Sequence, residues 1–169
     1  MTDSTLTRLF RFLTREPRLL CDKETWDTGT KELHRRTDER REAGAFLLGN
    51  ERLGSRRIKK FLFYDDIDPN CFDHGIVEFN GHKFGKVWEV CKTLDMDIVA
   101  DVHVHPAGYG QSPSDQENPM KLEAGHLAII LPDYAKGYQN PGEFGIYEYL
   151  GQRRWTNHTR LGQNFFRIR

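Results

Sequence analysis

The stretch NGHKFGKVWEVCKTLD, residues 80–95, constrains the fold most. Phe84, Val87, Trp88 and Cys91 recur at the spacing of one helix face, which predicts an amphipathic helix. Short apolar runs precede and follow it. EAGAFLLGN (42–50) closes on glycine and reads as a buried strand. RRIKKFLFYDDIDP (56–69) reads as a strand ending in a turn, joined to the first by a hairpin around Leu53-Gly54-Ser55. DIVADVHVHP (97–106) is a strand that stops at Pro106, because proline cannot donate to a ladder. HLAIILP (126–132) is a further buried strand. EFGIYEYLGQRRWTNHT (143–159) reads as two strands about a type II′ turn at Gly151-Gln152. Strands that precede and follow a central helix predict an α/β domain with a mixed sheet flanked by helices.

The 169 residues suit one domain with one core. The N-terminal segment reads as a helical extension packed on that core, residues 1–39, with the main domain over 40–169. Leu6, Leu9, Phe10 and Leu13 form its apolar stripe, Ser4 is its cap and Pro17 stops it. Arg8, Arg11 and Arg15 face the other way. Residues 22–41 are charge-rich with weak periodicity, and a second helix and an extended connection both fit them. Three cysteines, Cys21, Cys71 and Cys91, make no CxxC pair. That argues against a disulfide framework and for a cytoplasmic setting. A formal net charge of zero gives no general reason to bind nucleic acid or an anionic membrane. The tail carries Arg153, Arg154, Arg160, Arg167 and Arg169 among Trp155, Phe165 and Phe166, a mixture that can track single-stranded nucleic acid. A solvated edge strand with a basic tail is the simpler reading.

The chemistry concentrates in DVHVHPAGYGQSPSD, residues 101–115. Residues i and i+2 of a strand share a face, so His103 and His105 project together from a strand end. Imidazoles suit zinc, and a catalytic zinc takes three protein ligands and keeps one open position. Asp115 can supply the third. Gly108 and Gly110 let the intervening loop turn. Ser112-Pro113-Ser114-Asp115 has the composition of a helix start, and Asn118-Pro119 of its end. His126, Asp101 and Glu117 read as ordinary packed or solvated residues, with a supporting role behind the ligands as the alternative.

HVHPAGYGQSPSD resembles the metal motif of the JAMM (JAB/MPN-type) metalloproteases: His-x-His, a proline, a short gap, then Ser-x-x-Asp. The upstream REAGAFLLG supplies the glutamate element of that pattern through Glu42. The resemblance covers roughly residues 40–135, and DVHVHP with QSPSDQENPM is similar to bacterial members. It implies a JAB/MPN-like, cytidine-deaminase-like architecture. It also implies a single zinc on His103, His105 and Asp115, with Glu42 as general acid/base and Ser112 stabilising the oxyanion. Two departures stand out. Six residues separate His105 from Ser112, where many relatives have seven, and Ala43-Gly44-Ala45 replaces paired glycines. Neither removes a ligand.

The activity so implied is hydrolysis of a peptide or isopeptide bond at the C-terminal tail of a ubiquitin-like protein. Its conjugates would be substrates, and activating and conjugating enzymes would be companions. Some such bacterial systems defend against phage. Residues 67–79 and the loop around Tyr109 would wall the groove for the tail. Relatives that trim sulfur-carrier proteins, and others that are non-catalytic scaffolds, supply the alternatives.

Overall fold

The computed structural model describes residues 16–74 and 79–169. The helix expected before Pro17 lies outside them. Among the described residues the strands are β1 (Leu19–Cys21), β2 (Gly44–Arg52), β3 (Ser55–Phe63), β4 (Asp97–Val104), β5 (Leu127–Leu131), β6 (Gly145–Gly151), β7 (Arg154–Asn157) and β8 (Phe166–Ile168). The helices are α1 (Lys23–Thr37), the single turn α2 (Tyr64–Ile67), α3 (Phe84–Leu94) and α4 (Pro113–Glu117). All eight strands join one mixed sheet in the order β7-β6-β5-β4-β2-β3-β1-β8. β4 and β5 are parallel, and β2 is antiparallel to both β3 and β4.

The segment read as a helical extension therefore also holds a strand. β1 lies parallel between β3 and β8. Three residues at each end of the chain are too few to show a period of two. The basic tail is likewise part of the sheet, since Phe166–Ile168 form β8.

Helix α1 settles the ambiguity of residues 22–41. Its buried side is Trp26, Gly29, Thr30, Leu33 and Thr37. Only two of these are large and apolar, which is why the periodicity looks weak in the sequence. The glycine is needed there, because a Cβ at position 29 would lie 2.4 Å from the Phe61 ring. Trp26 is fully buried among Phe61, Phe144 and Phe166, and its indole N–H donates to the Gln139 carbonyl at 2.9 Å. The charges that mask this stripe pair along the outer side. Glu32 meets Arg35 and Arg36, and Arg36 reaches Asp65 and Asp66 after β3 at 2.5 and 2.7 Å.

α1 covers one face of the sheet and α3 the other. Phe61 pairs with Leu47, whereas Phe46 pairs with Leu62, so Phe61 and Phe46 point to opposite faces. Phe46 meets Phe84 of α3, Tyr64 and Phe79. Its face is the one that carries the histidines, because Phe46 pairs with Asp101 of β4.

Two hairpins show how the tight connections are met, the first with Gly54 in its turn and the second with two non-glycine residues. Arg52 pairs with Ser55, and Leu53 and Gly54 both have positive φ, 52° and 75°. Gly151 pairs with Arg154, and Gln152 and Arg153 sit at 53° and 58°. Two positive values belong to a type I′ turn, so the type II′ expectation is corrected. Gly49 lies at a register shift in β2, where a Cβ would come 1.8 Å from the Arg57 carbonyl oxygen. Backbone cannot move aside as a side chain can. Gly49→Ala should cost about 1–3 kcal/mol, read as a lower urea midpoint.

Burial pushes the thiols of Cys21 and Cys71 up to about 12. All three cysteines are free and buried, so none is a reactive thiolate.

Candidate metal centre

The β2–β4 ladder builds the site. Gly44 stands opposite His103, and the Val104 N–H donates to the Ala43 carbonyl at 2.9 Å. Continuing that antiparallel register puts Glu42 opposite His105. The Glu42 Oε1 lies 3.8 Å from His105 Nε2. Beyond β4 the chain is pinned to the end of β5, with the His105 N–H donating to the Leu131 carbonyl at 2.9 Å.

Asp115 arrives from the other side on α4. Ser112 is the N-cap and Pro113 follows it at the helix start. The Asp115 N–H donates to Ser112 Oγ at 3.1 Å, and the Ser112 N–H donates to Asp115 Oδ2 at 2.6 Å. This reciprocal capping box holds the carboxylate still. Its Oδ1 is 3.2 Å from His103 Nε2 and its Oδ2 is 3.3 Å from His105 Nε2. The two Nε2 atoms are 3.0 Å apart.

These separations fit a cation. Ligand atoms at zinc–nitrogen distances in a tetrahedron stand about 3.3 Å apart, close to the 3.0 Å between the two Nε2 atoms, while the two Asp115 distances are made by its two different oxygens. The hydrogen bonding of the site makes the same point. If both imidazoles donate to Asp115, their N–H groups oppose each other across 3.0 Å. A cation facing three lone pairs removes that conflict. His103, His105 and Asp115 form a group that could bind a metal ion. Ser112 sits one capping contact away. Its oxygen is occupied by the Asp115 N–H, and its own proton remains to donate.

The electrostatics follow from burial and pairing. For His103, burial works against the charged imidazolium, but the Asp115 carboxylate, with Asp101 and Glu42 behind it, outweighs burial and raises the pKa. For Asp115, burial also opposes charge, yet hydrogen bonds from both histidines and the Ser112 N–H hold it far below the usual carboxylate range. Metal ligation needs neutral imidazole. A raised His103 pKa therefore means that protons start to displace metal above the ordinary imidazole value near 6.5. Metal affinity measured between about pH 8 and pH 5 should fall as pH falls. A flat profile would contradict ligation by His103.

Behind the histidines, Asp101 and His126 are buried and joined, His126 Nε2 to Asp101 Oδ1 at 2.5 Å, so Asp101 is not solvated and His126 is packed. Sequence reasoning missed their pairing and the Tyr64 hydroxyl beside it. The Tyr64 hydroxyl donates to Asp101 Oδ2 at 3.2 Å. Burial, then the charge of Asp101, pushes the Tyr64 hydroxyl well above its usual range, which keeps it a donor. The signal was present for Asp101, which precedes His103 by two on the same strand. Glu117 is exposed. In the Tyr109 loop, the Tyr109 carbonyl accepts from the Tyr147 hydroxyl at 3.0 Å. Of the expected groove wall at 67–79, residues 75–78 lie outside the described residues.

A groove of about 640 Å³ runs between α3 and α4, lined by Phe79, Phe84, Trp88, Ser114, Met120 and Leu122. A larger one, about 1430 Å³, lies between α1 and β3 and holds none of the candidate ligands.

No protein-family model matches the chain. Solved structures do resemble it. Protein DSY2949 from Desulfitobacterium hafniense, known in solution, is 13% identical with a TM-score of 0.62. The match covers 89% of this chain and 92% of that one. A protein from Salinibacter ruber is 15% identical with a TM-score of 0.56, covering 82% and 87%. At these identities the likeness concerns the fold alone. Among the described residues no helix is long and apolar enough to cross a membrane.

Proposed function

We propose that this chain is a zinc-dependent hydrolase of the JAMM type, with the JAB/MPN architecture, that cuts a peptide or isopeptide bond at the C-terminal tail of a ubiquitin-like protein. The observation that carries the reading is the convergence of His103, His105 and Asp115 at 3.0–3.3 Å with the Glu42 carboxylate 3.8 Å from His105. Those are the residue types, in the chain order, that the sequence resemblance requires.

A zinc ion held there would supply a Lewis acid and bring the pKa of water down to about 7. His103 and His105 would each give an Nε2 lone pair, and Asp115 a carboxylate oxygen. Glu42 would take the proton of the attacking water and hand it to the leaving amine. Ser112 would donate its hydroxyl proton to the developing oxyanion. The groove between α3 and α4 begins beside Ser114, next to the ligand Asp115, and its aromatic lining suits an extended tail with apolar side chains. Buried free thiols agree with a cytoplasmic setting.

The test is cleavage of a ubiquitin-like protein fused at its C-terminus to a second domain, with and without phenanthroline. Cleavage should stop with the chelator and return with added zinc. Equal cleavage in both arms would contradict the zinc mechanism. No cleavage at full zinc occupancy would favour the non-catalytic scaffold, and release of short extensions alone would favour sulfur-carrier trimming.

A further inference from the structure

Three polar side chains beside the histidine pair have no part in that chemistry. Tyr64 is fully buried, Asp101 is 1% exposed and His126 is 4% exposed. Asp101 takes both contacts, Oδ1 at 2.5 Å from His126 Nε2 and Oδ2 at 3.2 Å from the Tyr64 hydroxyl. Removing such groups from water costs more than placing apolar residues of equal volume there. Packing alone gives no reason for them.

Their position does. Asp101 and His103 share one face of β4 as residues i and i+2. His126 immediately precedes β5, whose ladder with β4 pairs Asp101 with Ala128 and His103 with Ile130. The Tyr64 ring takes the space that a side chain at position 44 would need, since a Cβ there would lie 2.4 Å from Tyr64 Cε2. Gly44 is the residue directly across from His103. The three side chains thus tie β5, β4 and β2 together behind the ligand set. They also account for Gly44 in the run that follows Glu42.

We propose that Tyr64, Asp101 and His126 are positioning residues for the metal centre: they fix the strand ends that carry His103 and Glu42, and the affinity and geometry of a bound divalent ion depend on them. This rests on the metal reading of His103, His105 and Asp115. Partners bonded directly to a ligand alter metal affinity by about 10- to 100-fold; these three act through the strands instead, so the smaller end of that range is expected.

The test uses Co²⁺ as the probe, titrated into the metal-free full chain while the visible absorption is recorded. Tyr64→Phe and Asp101→Asn are compared with wild type, and thermal unfolding of each metal-free form is measured alongside. Both variants should bind Co²⁺ about 10-fold more weakly, with a displaced absorption band. A purely structural role would lower the unfolding temperature and leave band and affinity unchanged, and that result overturns the proposal. Should Asp101→Asn fail to fold, Tyr64→Phe decides alone, because it removes one oxygen and keeps the ring against Gly44. A wild-type chain that takes up no Co²⁺ would sink the metal centre itself, and this inference with it.

Discussion

Glu42→Ala should slow cleavage of a ubiquitin-like fusion by about 10²- to 10⁴-fold, the usual contribution of a positioned acid/base. The same variant should keep its bound metal and its fold. Glu42 lies just before β2 and two residues from Gly44, on the strand face that Gly44 shares with His103. It is 3.8 Å from His105, at the margin of the ligand set. On the proposed mechanism, losing it removes a proton carrier without removing a ligand. The check is the single-turnover rate together with metal content per chain. A variant that cuts at the wild-type rate would show that the carboxylate carries no proton, and one that loses its metal would make Glu42 a ligand instead.

Asp115→Ala should have the second large effect, on metal rather than on turnover. Asp115 does two things at once: it faces both histidines and closes the capping box with Ser112. Truncation should cost about 1 kcal/mol of stability through the lost Ser112 N–H hydrogen bond to the carboxylate. It should also weaken metal binding by more than about 100-fold, beyond what loss of an outer partner produces. Ser112→Ala separates the two, since it weakens the cap and leaves the carboxylate. If Asp115→Ala loses stability and binds metal as before, the residue is a cap and nothing else. The sign of its pH effect is fixed as well. A carboxylate whose folded pKa is depressed stabilises the metal-free chain above its unfolded value near 4. That contribution disappears as pH falls through the lower folded value.

The residues that were legible in the sequence are those governed by short periods. His103 and His105 needed only the two-residue alternation of a strand and the stop at Pro106. Asp115 needed only the chemistry of a helix start after Ser112. Phe84, Val87 and Cys91 announced α3. Legibility failed where a contact joins distant segments. Trp26 and Leu33 are too sparse to declare α1, because Gly29, Thr30 and Thr37 fill its buried side with small groups that hydropathy does not register. β1 and β8 are three residues each and exist because they pair with each other, and β1 also with β3. Asp101 and His126 sit 25 residues apart and read as ordinary packed or solvated residues until the parallel β4–β5 pairing brings them together. Gly44 gives no sign of its role in the sequence, and the position of the Tyr64 ring explains it.

The central claim is that His103, His105 and Asp115 hold one divalent ion. Equilibrium dialysis of the metal-free chain against Zn²⁺ tests it most directly, with the double variant His103→Ala/His105→Ala in a parallel chamber. The account predicts about one ion per wild-type chain, the complement of a single catalytic site, and none retained by the double variant. Equal uptake by both proteins, or no uptake by the wild type, would contradict it.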